Sequence, residues 1–355
     1  MTSRWTNRMN LIIDSSRKSL REFRHHHIHK KRAFRYIELL ELQNGWKLSL
    51  QMKKEADDYA IDVFGKKEYA PWLYFYSVFR GEFKDGWIPL NYYSAYVLPD
   101  YALTRVSEMK TFSKVVLKTD KLPDIAYYLD GRFYDKNYSV ITISELHSMV
   151  ENNYGKVFVK RDHSLRGLDV HKLGPEKIRE SVFQQIGNCV IQYPVQQHPF
   201  FAEMHPFSTA TLRIVTVKNL EGQVEDRASL LKIGVNENEW YQSSNCVWVG
   251  IINKTGELDS NGYTPNYKQI SKHPTSKVLF ETKIVPNYSD AVEICTKLHA
   301  TIPHFPIIGW DVAIDHRNQI KVLEWNAGIP HPAIEFIEPV LGPCFSGLGW
   351  EDLSK

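Results

Sequence analysis

The chain has 355 residues, 43% of them apolar and 24% charged, and a net charge of +3. This composition excludes a disordered or fibrous chain and fits a soluble globular one whose core divides into two or three subdomains. The small net charge excludes a polyanion binder that works through bulk charge alone.

The charge is unevenly spread. Residues 1–35 hold ten Arg and Lys, from Arg4 to Arg35, against Asp14 and Glu22, a net +8 that leaves −5 on the remainder. With His25, His26, His27 and His29 in it, this start reads either as a contact for an anionic membrane surface or polyanionic substrate, or as a solvated helix. Leu11-Ile12-Ile13 is interrupted by Asp14 and is no signal peptide, and no apolar run approaches the ~18 residues of a membrane helix. Cys189, Cys246, Cys295 and Cys344 lie far apart without a CxxC pair, which points to a reducing, cytoplasmic setting rather than a zinc site or disulfide framework.

A mainly helical N-terminal extension is expected over residues 1–100. Residues 36–53 mix apolar and charged positions at helical spacing. Residues 69–101 are dense in aromatics, including Trp72, Tyr74, Tyr76, Trp87 and Tyr92, as a packed core or interface is. From about Tyr101 the pattern changes to alternating strands and helices. Val157-Phe158-Val159 is a strand ending in Lys160. Residues 175–186 are predicted as one helix, residues 212–217 and 228–233 as strands. Ser289 is expected to cap a helix over 289–302 whose apolar stripe is core.

The sharpest chemical signal is the pair Gly309–Asp315 and Ile320–Asn326, both alternating as strands do. With Arg317-Asn318 as a two-residue turn, Asp311 stands directly opposite Glu324, and Asn326 shares the face of Glu324. Two facing carboxylates repel, and a sheet does not select that pair for stability. A divalent cation removes the repulsion, and carboxylate and amide oxygens are hard ligands suited to Mg²⁺.

This Asp…Glu-x-Asn set, after a lysine-ended strand and loop, resembles the ATP-grasp superfamily. Thr211-Leu212-Arg213-Ile214-Val215-Thr216, Ala228–Gly234, His273-Pro274 and Ile308–Val312 are similar to the ATP-grasp proteins associated with sugar transfer and cell-surface polysaccharide synthesis. The resemblance covers roughly residues 114–326. It implies an ATP-grasp fold in which two α+β subdomains, 101–190 and 191–355, grip ATP, with Lys114 and Lys160 on the phosphates. Ser164, Arg166 and Gly167 would belong to the loop over them, a loop poorer in glycine than the family's. Gln192, Tyr193 and Val195 would form the adenine hinge, their backbone groups reading the base. Arg213 and Lys232 would stabilise transferred phosphoryl charge, and Asp311, Glu324 and Asn326 would hold Mg²⁺.

The expected activity is an ATP- and Mg²⁺-dependent carboxylate–amine ligase that forms an amide through an acyl-phosphate. Its substrates would be a sugar acid, amino sugar or amino acid of a surface polysaccharide. A sugar kinase and a non-catalytic nucleotide-binding scaffold remain open on the same fold. No other phosphate loop, dinucleotide fingerprint, zinc-protease motif, nucleophile elbow or nucleic-acid module is present.

Overall fold

The computed structural model describes residues 2–98, 101–164, 169–235, 237, 240, 242, 244–327 and 334–355. The chain forms two compact units, residues 1–97 with 334–355 and residues 98–333.

The first unit is helical. α1 (Thr2–Asn44) ends where Gly45 turns to a φ of 74°. α2 (Leu50–Phe64) starts from Ser49, whose side chain accepts the Met52 N–H at 3.1 Å, and stops at left-handed Gly65. The helix expected across 36–53 is therefore two helices with a glycine break between them. α3 (Ala70–Arg80) has Pro71 in its first turn and every residue but Arg80 buried. Trp72, Tyr76, Trp87 and Tyr92 lie in this core, the role expected of the aromatic stretch. Three of the four N-terminal histidines are tied into the unit. His25 and His26 bond Asn91, and His29 Nδ1 accepts the Trp72 N–H at 3.0 Å. Burial pulls the His29 pKa down to about 3.

Helix Ile334–Leu341 packs on α3, and Glu335 pairs with Arg32 at 2.7 Å. The last residues thus join the N-terminal helices, a correction to the expected subdomain 191–355. Among the described residues, no helix is long and apolar enough to cross a membrane.

The second unit carries two antiparallel sheets. The first holds β1 (Asp124–Leu129), β2 (Arg132–Asp135), β3 (Val140–Ile141), β4 (Val157–Arg161), β5 (Val170–Leu173) and β6 (Cys189–Gln192), in the order β3-β2-β1-β6-β4-β5. Helix Ile143–Asn153 starts from a capping box between Thr142 and Glu145. The helix expected over 175–186 is interrupted. A 3₁₀ turn at Pro175–Lys177 is followed by extended Arg179 and then by helix Glu180–Ile186. The break lets Ile178 enter the core beside Phe183 and Ile186.

The second sheet holds β7 (Thr211–Lys218), β8 (Val224–Gly234), β9 (Cys246–Ile251), β10 (Leu258–Tyr263), β11 (Gln269–Ile270), β12 (Ile307–Ile314) and β13 (Ile320–Asn326), ordered β11-β10-β9-β8-β7-β12-β13. Helix Tyr288–Ala300 buries Ala291 and Cys295 in its core. Ser289 is not its cap. Asn287 precedes it in the left-handed region at φ 51°, and the Asn287 amide donates to the Asn318 carbonyl instead.

A chain of polar groups crosses this core. His299 Nε2 lies 2.9 Å from the Phe305 carbonyl, His299 Nδ1 2.8 Å from Thr216 Oγ1, and the Trp310 N–H donates to that oxygen at 2.8 Å. The neutral tautomer satisfies all of it: Nε2–H donates, and Nδ1 accepts the threonine hydroxyl. Burial, only partly opposed by the Phe305 carbonyl, lowers the His299 pKa to about 4. Between that value and the unfolded value of about 6.5, the unfolded chain binds a proton that the folded chain refuses. The stabilisation is complete above the unfolded pKa and lost as pH falls to the folded one. Urea unfolding should show a midpoint that rises from pH 4 to 6.5, with a smaller rise in His299→Leu. Thr216→Val should cost about 2 kcal/mol at neutral pH by stranding the indole N–H.

Candidate active site

The site lies on the β12–β13 hairpin, whose register is set in an unexpected way. Ile314 pairs Ile320, and Asp315 accepts the N–H groups of Arg317 and Gln319, so the turn holds three residues, His316 to Asn318, with Asn318 at φ 61°. Left alone, that turn would place Leu323 opposite Asp311. A bulge between Asp311 and Val312 absorbs one residue of β13, and the pairing becomes Asp311 with Glu324 and Gly309 with Asn326. The expected juxtaposition is present, reached by a longer turn and a compensating bulge.

Asp311 also pairs Arg213 across β7, and Lys232 of β8 follows in the same direction. On β7, Leu212 and Ile214 enter the hydrophobic core while Arg213 faces the charged side. Arg213 Nε and Nη2 donate to Asp311 Oδ1 and Oδ2 at 2.9 and 2.8 Å, and Lys232 Nζ donates to Oδ1 at 2.6 Å. Burial works against the Asp311 carboxylate, but Arg213 and Lys232 more than offset it and hold its pKa well below the usual range. Burial and then Arg213 pull the Lys232 ammonium down, and Asp311 opposes them.

Glu324 continues the row toward the first sheet. Lys110 Nζ is 3.5 Å from its carboxylate, 2.7 Å from the Ser164 carbonyl and 3.3 Å from Ser164 Oγ. Lys160, at the end of β4, is lowered by burial and raised by Glu324, which places it in the field of the same carboxylate. The face therefore carries four cations, Lys110, Lys160, Arg213 and Lys232, against two carboxylates, a net +2 from these six side chains.

Lys110 was not singled out by the sequence. Lys114, which was, donates to the Lys136 carbonyl at 2.5 Å on the exposed surface. The two lysines lie one helical turn apart in Lys110-Thr111-Phe112-Ser113-Lys114. The polar anchors decide between them: Thr111 donates through its N–H and hydroxyl to Asp162 at 3.0 and 2.6 Å, and Ser113 Oγ accepts the Trp325 N–H at 3.2 Å. Arg166 and Gly167 lie outside the described residues.

The hinge differs in detail from expectation. Gln192 is buried and donates to Asp124 at 2.8 Å, so its side chain serves the sheet. The Tyr193 N–H donates to the Pro123 carbonyl at 3.1 Å, and the Val195 carbonyl accepts the Thr209 hydroxyl at 3.0 Å. Among the described residues, the Tyr193 carbonyl and the Val195 N–H have no such partner, an acceptor and a donor two residues apart. His198 Nδ1 accepts the Phe200 N–H at 3.1 Å and caps the helix that follows.

The donor set suits a hard cation at Glu324 and Asn326. Asn326 Nδ2 turns toward the Gly309 carbonyl at 3.4 Å, leaving its amide oxygen for another partner. Asp311 is more committed than expected, since its two oxygens already accept three N–H groups from Arg213 and Lys232. A carboxylate offers about four lone-pair positions, so at most one is left, on Oδ2. Among the described residues, no cluster of three or more His, Cys, Asp or Glu forms a self-contained metal cage. Such a cage is not required for Mg²⁺, which takes part of its shell from water and phosphate.

Residues 179–338 match the model of the sugar-transfer associated ATP-grasp family, a span that includes the hinge and the whole second sheet. Searched by sequence, the curated proteins give no match. Among solved structures the chain is similar to the ATP-grasp ligase PsnB complexed with its minimal precursor, at 10% identity and TM-score 0.37 over 66% of this chain and 56% of that one. It is also similar to biotin carboxylase from Campylobacter jejuni, at 11% identity and TM-score 0.42 over 70% and 46% of the two chains. L-amino acid ligase from Bacillus licheniformis gives 13% identity and TM-score 0.42 over 73% and 50%. The chain thus spans about half the length of these relatives. The α+β class expected from the sequence is borne out by the two antiparallel sheets and their helices, and the family expected from the sequence is the one whose model matches residues 179–338.

Removing one member of the buried Arg213–Asp311–Lys232 group strands the others. Asp311→Asn should therefore lower unfolding free energy by about 3–5 kcal/mol, read by chemical denaturation. Glu324→Gln, at the open end of the row, should move it by less than about 1 kcal/mol.

Proposed function

We propose that this protein is an ATP- and Mg²⁺-dependent ligase that joins a carboxylate to an amine. The observation that carries the reading is the charged row Lys232–Arg213–Asp311–Glu324, met at its open end by Lys110 and Lys160. A surplus of fixed, largely buried cations suits a polyphosphate, and two hard-oxygen side chains beside them suit its counter-ion.

In this reading the Tyr193 carbonyl and Val195 N–H meet the amino group and ring nitrogen of adenine, a complementary acceptor and donor. Lys110 and Lys160 lie along the phosphates. Glu324 and Asn326 would hold Mg²⁺, with Asp311 behind them. When bound, that ion draws charge from the phosphate oxygens. The substrate carboxylate attacks the γ-phosphorus, the bond to ADP breaks, and an acyl-phosphate forms. The amine then attacks the acyl carbon, phosphate leaves with the electron pair of the C–O bond, and the amine loses a proton. Arg213 and Lys232, preorganised by Asp311, face the charge that develops on these oxygens, and a single such donor is worth about 3 kcal/mol. The family's association with sugar transfer supports a sugar acid, amino sugar or amino acid of a cell-surface polysaccharide as substrate.

The test is ATP turnover with Mg²⁺ over a panel of sugar acids, amino sugars and amino acids, with products read by mass spectrometry. ADP, free phosphate and a condensed product lighter by one water support the ligase. A phosphorylated sugar instead moves the assignment to a kinase. Glu324→Gln should reduce turnover by at least about a hundredfold, in the range lost with a transition-state contact, while melting as wild type does. Lys110→Met should weaken ATP binding by more than about tenfold, the value of one lost charged hydrogen bond. Lys114→Met should change it by less than about threefold, and the reverse ranking would return the role to Lys114.

A further inference from the structure

We propose that the exposed face of α1 docks on an anionic lipid bilayer. One side of the helix is committed to its own unit: Ala33, Ile37 and Leu40 are buried there, and His25, His26 and His29 bond inward. The opposite side is unusual. Leu20, Phe23 and Ile28 are 50%, 67% and 63% exposed, and the exposed residues interleaved with them include Arg21, Arg24, Lys30, Lys31 and Arg35. At about 100° per residue, Leu20, Phe23, Arg24, His27, Lys31, Phe34 and Arg35 share a sector of about 120°, and Ile28 and Lys30 flank it about 20° beyond its two edges.

Scattered exposed apolar residues need no explanation. Here three large ones lie within nine positions, and the exposed charges from residue 20 to residue 35 are all cations. Glu22, the acidic residue of this stretch, is half-buried and salt-bridged to Lys66. A surface that combines cations with large apolar side chains matches the headgroup region of a bilayer: the cations meet lipid phosphates and carboxylates, and the apolar groups enter the acyl boundary. A nucleic acid would answer the cations and leave Phe23 and Ile28 in water. A second copy set face to face would bring like charge against like charge. The face belongs to the helical unit and shares no residue with the proposed nucleotide site.

The experiment is co-sedimentation of the full chain with vesicles of phosphatidylcholine alone and with about one quarter phosphatidylserine. At least about tenfold more binding to the anionic vesicles is expected, falling steeply when ionic strength is raised to about 0.5 M. Phe23→Ser with Ile28→Ser should reduce that binding by about tenfold, since the acyl contact is lost. Lys30→Glu with Lys31→Glu should reduce it at least as much. All four side chains are exposed, so melting temperatures should stay at the wild-type value and separate lost binding from lost folding. Equal binding to both vesicle types, or full binding by the Phe23→Ser, Ile28→Ser variant, would overturn the proposal. So would oligonucleotide binding without vesicle binding, or a dimer that the same substitutions disperse.

Discussion

Burying Arg213 and Lys232 on neighbouring strands without a counter-ion would cost several kcal/mol per charge. Asp311, one strand further on, supplies that counter-ion and accepts three N–H groups from the two cations. The arrangement is possible because β7, β8 and β12 run through the middle of the sheet, with the opposite face sealed by Leu212, Ile214, Trp310 and Val312. Period-two alternation does the sorting: Arg213 and Asp311 stand at odd positions, while Leu212, Ile214, Trp310 and Val312 at even ones enter the core. The site is thus a by-product of a well-packed sheet whose outer layer has been given to electrostatics.

Charge order along the row follows from the same constraint. Paired cations sit over the sheet centre, the shared carboxylate lies beside them, and Glu324 stands at the edge strand. Lys110 and Lys160 approach there from segments outside the second sheet. Small polar contacts fix Lys110: Thr111 on Asp162, Ser113 on Trp325, and the Ala327 N–H on Ser107 at 3.1 Å. These link the 107–113 segment to the end of β13, so the lysine and Glu324 belong to one braced assembly.

Much of this was legible from residue order. Strand alternation at 309–326 and the Asp, Glu and Asn on one face are local properties, and the hairpin delivered them. The aromatic density of 69–101 correctly signalled core. What the sequence withheld depended on distant partners. Lys110 and Lys114 are equivalent until Asp162 and Trp325 choose which turn of chain is anchored. The Tyr193 N–H looked available until Pro123 claimed it. Ser289 looked like a cap by type and position, yet Asn287 had already adopted the left-handed turn before it. In the first unit, a histidine run suggestive of a solvated arm has three of its four rings bound inward to Asn91 and Trp72.

The three-residue turn and the β13 bulge behave like a frameshift and its suppressor. Each alone would rotate every later side chain of β13 to the opposite face, carrying Glu324 toward the apolar layer and exposing Trp325. Together they cancel. A change in loop length at 316–318, ordinarily among the most tolerated of events, is therefore forbidden here unless Leu323 is gained or lost in step. Two distant-looking positions in the hairpin share one inheritance, and a lineage that altered the first would be expected to carry a correction at the second.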